Sequence, residues 1–455
     1  LKPEDKILVL ITRNYGVSDP ILNMGIPELL LERGYKVITL SHLPGHALDI
    51  ADEYENLYYP FGQHILSGAK LIAHHPNLYA VYLTNHGCGP DTMLSHLFKQ
   101  EMGDKPYLQI EVDEHFSNVG VITRIEAFLN SLSHRPVEVL PKDFVLEQVE
   151  IHPCHLPAVP EKDFPLWLPP LGEYTASLTG YFRAQGVDAH ALPHLSAHAL
   201  SLGRAETGAK EYLPFPALLG GILAQQEADP APAQFLIPQT QGAEADGQYA
   251  RVIRAVLDRR GNQRAKLVSP MLETLPATAQ DRDALFRALL AGDILYAAPA
   301  AMRAGIAAAW DTLPGWAQLH KAAVEIGKRP VTGRRLAAVG TPLCLTELDS
   351  GVLSTLEAEG SQLLRAPLSE ALWFLWKDNM DANKSCAKWL EQMAQEMQTI
   401  GAELGAHSTF AQDTAALFET ADTALPHFAG GNGRYRYAKA VELSGRADAV
   451  LTLAP

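Results

Sequence analysis

One arrangement of secondary structure occurs three times along this 455-residue chain. Each occurrence is a β-rich run, a polar turn, an amphipathic helix, a glycine and a second β-rich run. The three stretches begin at Ile7, Leu166 and Leu336. A short strand–helix–strand unit forms a parallel pair of strands with a right-handed crossover. The sequence therefore predicts an α/β protein built from several parallel-sheet lobes that are flanked by helices.

In each unit a glycine follows the predicted helix. Gly34, Gly186 and Gly360 stand where a helix would end in a left-handed residue. A chain of this length is too long for one hydrophobic core. We expect three related lobes, at residues 1–140, 141–330 and 331–455, with the third more helical and a proline-rich extended connection between the first two.

Both ends of the chain fall in β-rich runs, so we expect it to be a piece of a longer polypeptide. On that view the first strand, Ile7–Ile11, would present an exposed apolar edge or be covered by a partner.

Composition excludes several classes of function. The formal net charge is −15 and the pI is near 5.6, which argues against binding to nucleic acid or to an anionic membrane. No segment approaches the roughly 18 apolar residues of a membrane span. Four cysteines at wide, irregular spacing form neither a disulfide framework nor a zinc motif. The cytoplasm is the simplest location.

Cys88 is the cysteine that stands between two glycines, Gly87 and Gly89. It follows an apolar run and precedes a predicted helix, which places it at the carboxyl end of a strand, where parallel sheets bind ligands. The glycines would let a bulky ligand approach, Asp91 could cap the helix, and the helix N-terminus would favour the thiolate. A plain glycine turn with an inert thiol fits the same residues, and spacing alone does not decide.

The acidic triplet Asp113, Glu114 and His115 ends the next predicted strand. If the two strands are neighbours, the triplet and Cys88 face one crevice.

Three other motifs give weaker indications of a binding site. His190, His194 and His198 are spaced four apart, but Pro193 interrupts the helix that a metal-binding face requires, so they are better interpreted as surface histidines. The histidines and the thiol of HPCHLP (residues 152–157) lie too close together to share one ion. The glycine-rich loop at 429–437 could hold an anion, but it lacks the ending of a P-loop and is better interpreted as the start of a helix.

Residues 85–132, NHGCGPDTML through EAFLNSL, resemble a stretch of the acyl-CoA dehydratase activase-related proteins, also called CoA-substrate-specific enzyme activases. The C-terminal parts of that family are similar to 2-hydroxyacyl-CoA dehydratase subunits and to double-cubane-cluster proteins. The resemblance is specific over residues 1–135 and fainter beyond. It implies flavodoxin-like lobes and places the chain in the C-terminal portion of such a protein.

The resemblance implies ATP-driven, low-potential electron transfer in anaerobic metabolism. An actin-like ATPase part, on the same polypeptide or on a separate subunit, passes an electron to an iron–sulfur cluster of the 4Fe–4S or double-cubane type. Cys88 stands at the family's cluster-ligand cysteine, which makes it the candidate metal ligand. A homo-oligomer is expected.

The chain departs from the family in its second lobe. Tyr212, Phe215 and Glu244 stand where the family has cysteines, and the phosphate loop of the ATPase is absent. We therefore expect no ATP site, a cluster that is absent or incomplete in this chain, and a crevice between the second and third lobes that is filled by side chains such as Tyr212 and Phe215.

Two alternatives remain open. One is a non-catalytic scaffold or dimerisation module. The other is an unrelated α/β enzyme with Cys88 as nucleophile, which would need a histidine such as His86 or His115 beside the thiol.

Overall fold

The computed structural model describes residues 5–113, 118–141, 143–208, 210–310, 312–340, 352–427 and 431–453. Its strands are β1 Ile7–Ile11, β2 Lys36–Thr39, β3 Leu78–Asn85, β4 Leu108–Val112, β5 Leu166–Leu168, β6 Ala189–Ala191, β7 Ala233–Leu236, β8 Ala265–Val268, β9 Arg335–Gly340, β10 Gln362–Arg365 and β11 Ala449–Leu453.

The helices connect these strands. They are α1 Asn14–Ser18, α2 Ile26–Glu32, α3 Pro60–His74, α4 Gly89–Met102, α5 Asn118–Ser133, α6 Tyr174–Ala184, α7 Ala197–Ala205, α8 Pro214–Ala228, α9 Tyr249–Arg259, α10 Leu275–Thr278, α11 Arg282–Ala297, α12 Ala300–Ala308, α13 Trp316–Gly327, α14 Val352–Ala358, α15 Leu368–Asp378, α16 Met380–Asn383, α17 Ala387–Leu404, α18 Thr414–Asp422 and α19 Gly433–Ser444.

The strands form three parallel sheets with one topology. Their strand orders are β2-β1-β3-β4, β6-β5-β7-β8 and β10-β9-β11, and the strand pairs are parallel. In each sheet the first strand lies between the second and the third, which is how the flavodoxin-like order begins. The predicted α/β fold of parallel-sheet lobes flanked by helices is confirmed.

The chain divides into two compact units. One comprises Leu1–His155 with Gly247–Val256, and the other comprises Leu156–Asp246 with Leu257–Pro455. The first unit holds the β1–β4 sheet, and the second holds the other two sheets.

The core of the first unit forms where alternate residues of β1, β3 and β4 meet the apolar faces of α2 and α5. β1 pairs with β2 on one side and with β3 on the other, and its five residues are buried. The expected exposed edge at Ile7–Ile11 is therefore wrong. The run is apolar throughout because it is the inner strand of a parallel sheet that is covered on both faces.

Both sheets of the second unit contribute to a shared apolar core. α11 lies at its centre, with Phe286, Leu290 and Ile294 inaccessible to solvent. Asp293, on the same helix, accepts hydrogen bonds from the Tyr174 hydroxyl at 2.6 Å and from the main-chain N–H of Leu368 at 2.8 Å. It thus joins α6 of one sheet to α15 of the other.

The predicted glycine helix ends are confirmed. Gly34, Gly186 and Gly360 have φ angles of 82°, 79° and 91°. The three spaced histidines do not share a helix face, because His190 lies in β6, His194 in a loop and His198 in α7. Residues 428–430 of the glycine-rich loop lie outside the described residues. Among the helices described, none is both long and apolar enough to cross a membrane.

Candidate functional site

The candidate site lies at the carboxyl ends of β1 and β3. The strand order reverses between these two neighbours, and such a point in a parallel sheet is where ligands bind. Arg13 follows β1, and Cys88 follows β3. Sequence reasoning singled out Cys88 but missed Arg13, which becomes its neighbour only through a pairing of strands some 75 residues apart.

A tight turn presents Cys88. Gly87 has a φ of 65°, a backbone conformation that disfavours side chains, and a Cβ there would meet no atom within 4 Å. Gly87 is therefore needed for its backbone angle. Cys88 is the N-cap residue of α4, and Gly89 begins the helix. Because Pro90 at the start of the helix has no N–H, few main-chain donors remain unpaired there.

Asp91 has a different role from the one expected. It does not cap α4; its Oδ2 instead accepts a hydrogen bond of 2.9 Å from the N–H of Asn85 at the end of β3. Its Oδ1 forms an ion pair of 3.2 Å with Arg13. Asp91 therefore links the end of the strand to the residue that contacts the thiol.

The Arg13 guanidinium is held on several sides. One terminal nitrogen contacts both the Cys88 sulfur and Asp91, and the other donates to the Tyr15 hydroxyl at 2.9 Å. The guanidinium also lies 4.5 Å from the centre of the Phe61 ring. A positive charge is thus fixed directly against the sulfur.

The thiol nevertheless favours its protonated form. Burial raises the pKa of Cys88, and this effect outweighs the hydrogen bond from the Asp91 N–H and the charge of Arg13, which lower it. The start of α4 thus favours the thiolate as expected, through the Asp91 N–H, but burial has the larger effect on the pKa of Cys88. A metal or another cationic group would have to displace the proton.

The triplet after β4 is partly described. β3 and β4 are parallel neighbours with Asn85 opposite Val112, so Cys88 and Asp113 follow the carboxyl ends of adjacent strands. Glu114 and His115 lie outside the described residues. The His86 imidazole lies 2.8 Å from Glu111, whereas the contacts found for the Cys88 sulfur are with Arg13 and Asp91.

The two other thiols that the structure describes lie in ordinary structural surroundings. Cys154 is half-buried in the extended connection, where its N–H donates to the Asp52 carbonyl at 3.1 Å. Cys386 is buried and accepts a hydrogen bond of 3.0 Å from Arg282. Cys344 lies outside the described residues. Across the described part of the chain, no group of three or more His, Cys, Asp or Glu side chains is arranged to hold a metal ion.

Other residues stand at the second-lobe positions where the resemblance would place cysteines. Phe215 is fully buried, and its N–H donates to the Tyr212 carbonyl at 2.9 Å. Glu244 accepts from Arg436 at 2.7 Å, and burial raises the pKa of its carboxyl to about 7. Between the two sheets of this unit, a cavity of about 20 Å³ is lined by side chains that include Tyr174, Tyr296, Arg365 and Tyr435.

Comparison of the chain with models of protein families, with curated proteins and with solved structures finds no match.

Proposed function

We propose that this chain is the dehydratase-like portion of a cytoplasmic iron–sulfur electron-transfer system, driven by an ATPase and related to the 2-hydroxyacyl-CoA dehydratases and their activases. Cys88 would supply a thiolate ligand to the cluster. The observation that carries the proposal is the presence of a glycine-flanked cysteine at the point where the first sheet reverses its strand order. The resemblance of residues 85–132 to the family agrees with this location.

The ligand set of the described residues does not hold a cluster by itself. An iron–sulfur cluster takes about four thiolates, and the described contacts bring one cysteine to the site. The remaining ligands would come from a second copy of the chain or from the ATPase part.

Exposed apolar side chains near the site support a partner there. Tyr15 lies in α1, Ile21 and Leu22 lie in the loop that follows it, and Val119 lies at the start of α5, after β4. Ile21 is 83% exposed and Val119 74%. Both segments follow carboxyl ends of the same sheet, so a partner that brings ligands to Cys88 could also cover these side chains.

The test is the iron and sulfide content of the full-length protein, purified without oxygen. Cys88→Ser should lose the iron, the acid-labile sulfide and the visible absorbance of the cluster. The matched control replaces Cys154, Cys344 and Cys386 by serine together and should keep all three signals. Circular dichroism checks that both variants fold.

Two results would overturn the assignment. One is a wild-type protein that contains no iron after anaerobic purification and reconstitution. The other is a triple variant that loses the cluster while Cys88→Ser retains it.

A non-catalytic scaffold is the second candidate, because the two sheets of the second unit share an apolar core. On this reading Cys88→Ser would leave both the function of the assembly and its oligomeric state unchanged.

A further inference from the structure

Two buried glutamates and one asparagine meet on three loops of the second unit. Glu244 lies after β7, Glu273 after β8 and Asn432 just before α19. The N–H of Gln241 donates to Glu273 at 2.8 Å. A Cβ on Gly431 would lie 3.3 Å from the Gln241 carbonyl and 3.4 Å from the Glu244 side chain. The three loops are therefore in direct contact.

Several polar atoms at this junction have no hydrogen-bond partner. They are Oε2 of Glu244, Oε2 of Glu273, and both side-chain atoms of Asn432. Glu273 is 2% exposed and Asn432 3%. Buried polar atoms in folded proteins are nearly always paired with protein, water or an ion. Three of these four atoms are oxygens, which would suit a positively charged ligand.

The buried amide of Asn432 is a second indication of a bound cation, beside the two carboxyl groups. Its amide lies beside Glu244 and lowers the pKa of that carboxyl, yet it makes no hydrogen bond of normal geometry. An amide oxygen is a ligand that hard cations commonly take, together with carboxylates and carbonyls.

The junction is also rich in carboxyl groups. Arg436 pairs with Glu244 at 2.7 Å. Glu273 and the neighbouring Asp246, which accepts from the Thr240 hydroxyl at 3.0 Å, add two further carboxylates.

We propose that Glu244, Glu273 and Asn432 bind one small, hard divalent cation, of the Ca²⁺ or Mg²⁺ class. The ligands would be one oxygen from each side chain, with main-chain oxygens or water completing the shell. The set has only two carboxylates beside the amide. It is therefore compatible with the finding that no group of three His, Cys, Asp or Glu side chains among the described residues is arranged to hold a metal ion. The proposed ligands belong to the second unit and Cys88 to the first, and the site does not depend on the function proposed above.

Calorimetric titration of the chelator-treated chain with CaCl₂, MgCl₂ and KCl tests the site. We expect one Ca²⁺ or Mg²⁺ per chain and a rise in Tm, with little effect of K⁺. Glu273→Gln and Asn432→Ala should each weaken binding at least about tenfold, since each removes one of few ligands. The control is Glu206→Gln, whose carboxylate pairs with Arg260 at 2.5 Å elsewhere in the same unit; it should bind as the wild type does.

Absence of stoichiometric binding at about 10 mM, above the Kd of weak protein calcium sites, would overturn the proposal. Unchanged affinity in both variants would also overturn it, because the ion would then bind elsewhere. If Glu273→Gln does not fold, Asn432→Ala decides alone. A site that fails this test leaves the iron analysis of Cys88 unaffected.

Discussion

At the scale of single residues, the close contact between α7 and α8 depends on two glycines. α7 and α8 approach until a Cβ on Gly203 would lie 1.8 Å from the Pro216 carbonyl, and one on Gly220 would lie 1.9 Å from the Ala199 carbonyl. Neither glycine has a positive φ. The lack of a side chain is therefore needed for space, and main-chain atoms cannot move aside as a flexible side chain can.

Gly220→Ala should destabilise the protein by roughly 1–3 kcal/mol, the usual range for added volume in a packed interior. The matched control is Gly305→Ala in α12, where a Cβ would meet no atom within 4 Å. There the same change should stabilise the helix by roughly 0.5–1 kcal/mol. Urea denaturation followed by circular dichroism measures both. Equal stability of Gly220→Ala and wild type would mean that the two helices can separate freely.

At the scale of elements, one buried carboxylate joins two helices of different sheets. Asp293 on α11 accepts from Tyr174 and from the N–H groups of Leu368 and Ser369, which begin α15. It thus caps a helix distant in the sequence. Burial raises the pKa of Asp293 to about 6, although these hydrogen bonds lower it.

The pH dependence of stability should reveal this group. The folded state binds its proton more tightly than the unfolded chain does, so acidification from pH 7 to 4 raises its contribution to the unfolding free energy. The increase occurs between about pH 6 and 4 and amounts to at most about 3 kcal/mol. Asp293→Asn should remove this pH dependence. It should also lower the unfolding free energy at pH 7 by roughly 1–3 kcal/mol, because hydrogen bonds are lost.

Urea denaturation at several pH values measures the effect, with Asp258→Asn on the exposed end of α9 as control. Parallel pH profiles for wild type and Asp293→Asn would contradict the assigned role.

The sequence predicted elements better than it predicted contacts. β3 is the apolar run that the sequence shows before Cys88, because local hydrophobic patterning is visible in the sequence. Long-range contacts carry no such signal. Lys70 lies in a helix that otherwise looks like an apolar packing element, yet it is buried with Glu53 at 2.7 Å and Glu101 at 2.9 Å.

The same distinction between local features and long-range contacts holds for the candidate site. Cys88 was identifiable because its glycines and its position after an apolar run are local features. Arg13 and the rearranged role of Asp91 were not, since both depend on the pairing of β1 with β3. The raised pKa of Cys88 follows from burial, which the local sequence does not reveal.

At the scale of the whole molecule, the second unit should unfold as one body although it holds two sheets. Its core includes Leu166 of β5 and Ala337 of β9, and α11 contributes side chains throughout it. The indole N–H of Trp376 on α15 donates to the Leu272 carbonyl, after β8, at 2.8 Å. Other buried apolar side chains of this unit, such as Phe215 of α8 and Phe235 of β7, lie outside this core. Each sheet nevertheless loses its packing against the shared core when the other opens, so neither should remain folded alone.

Native-state hydrogen exchange measures this cooperativity. The slowest amides of β5 and β9 should exchange with the same opening free energy and the same dependence on denaturant, because one transition exposes both. Gly220→Ala, which acts on the α7–α8 contact of the β5 sheet, should lower the opening free energy of β9 by as much as that of β5. If β9 keeps its wild-type value while β5 loses protection, the two sheets are independent folding units, and the shared core contributes contact without cooperativity.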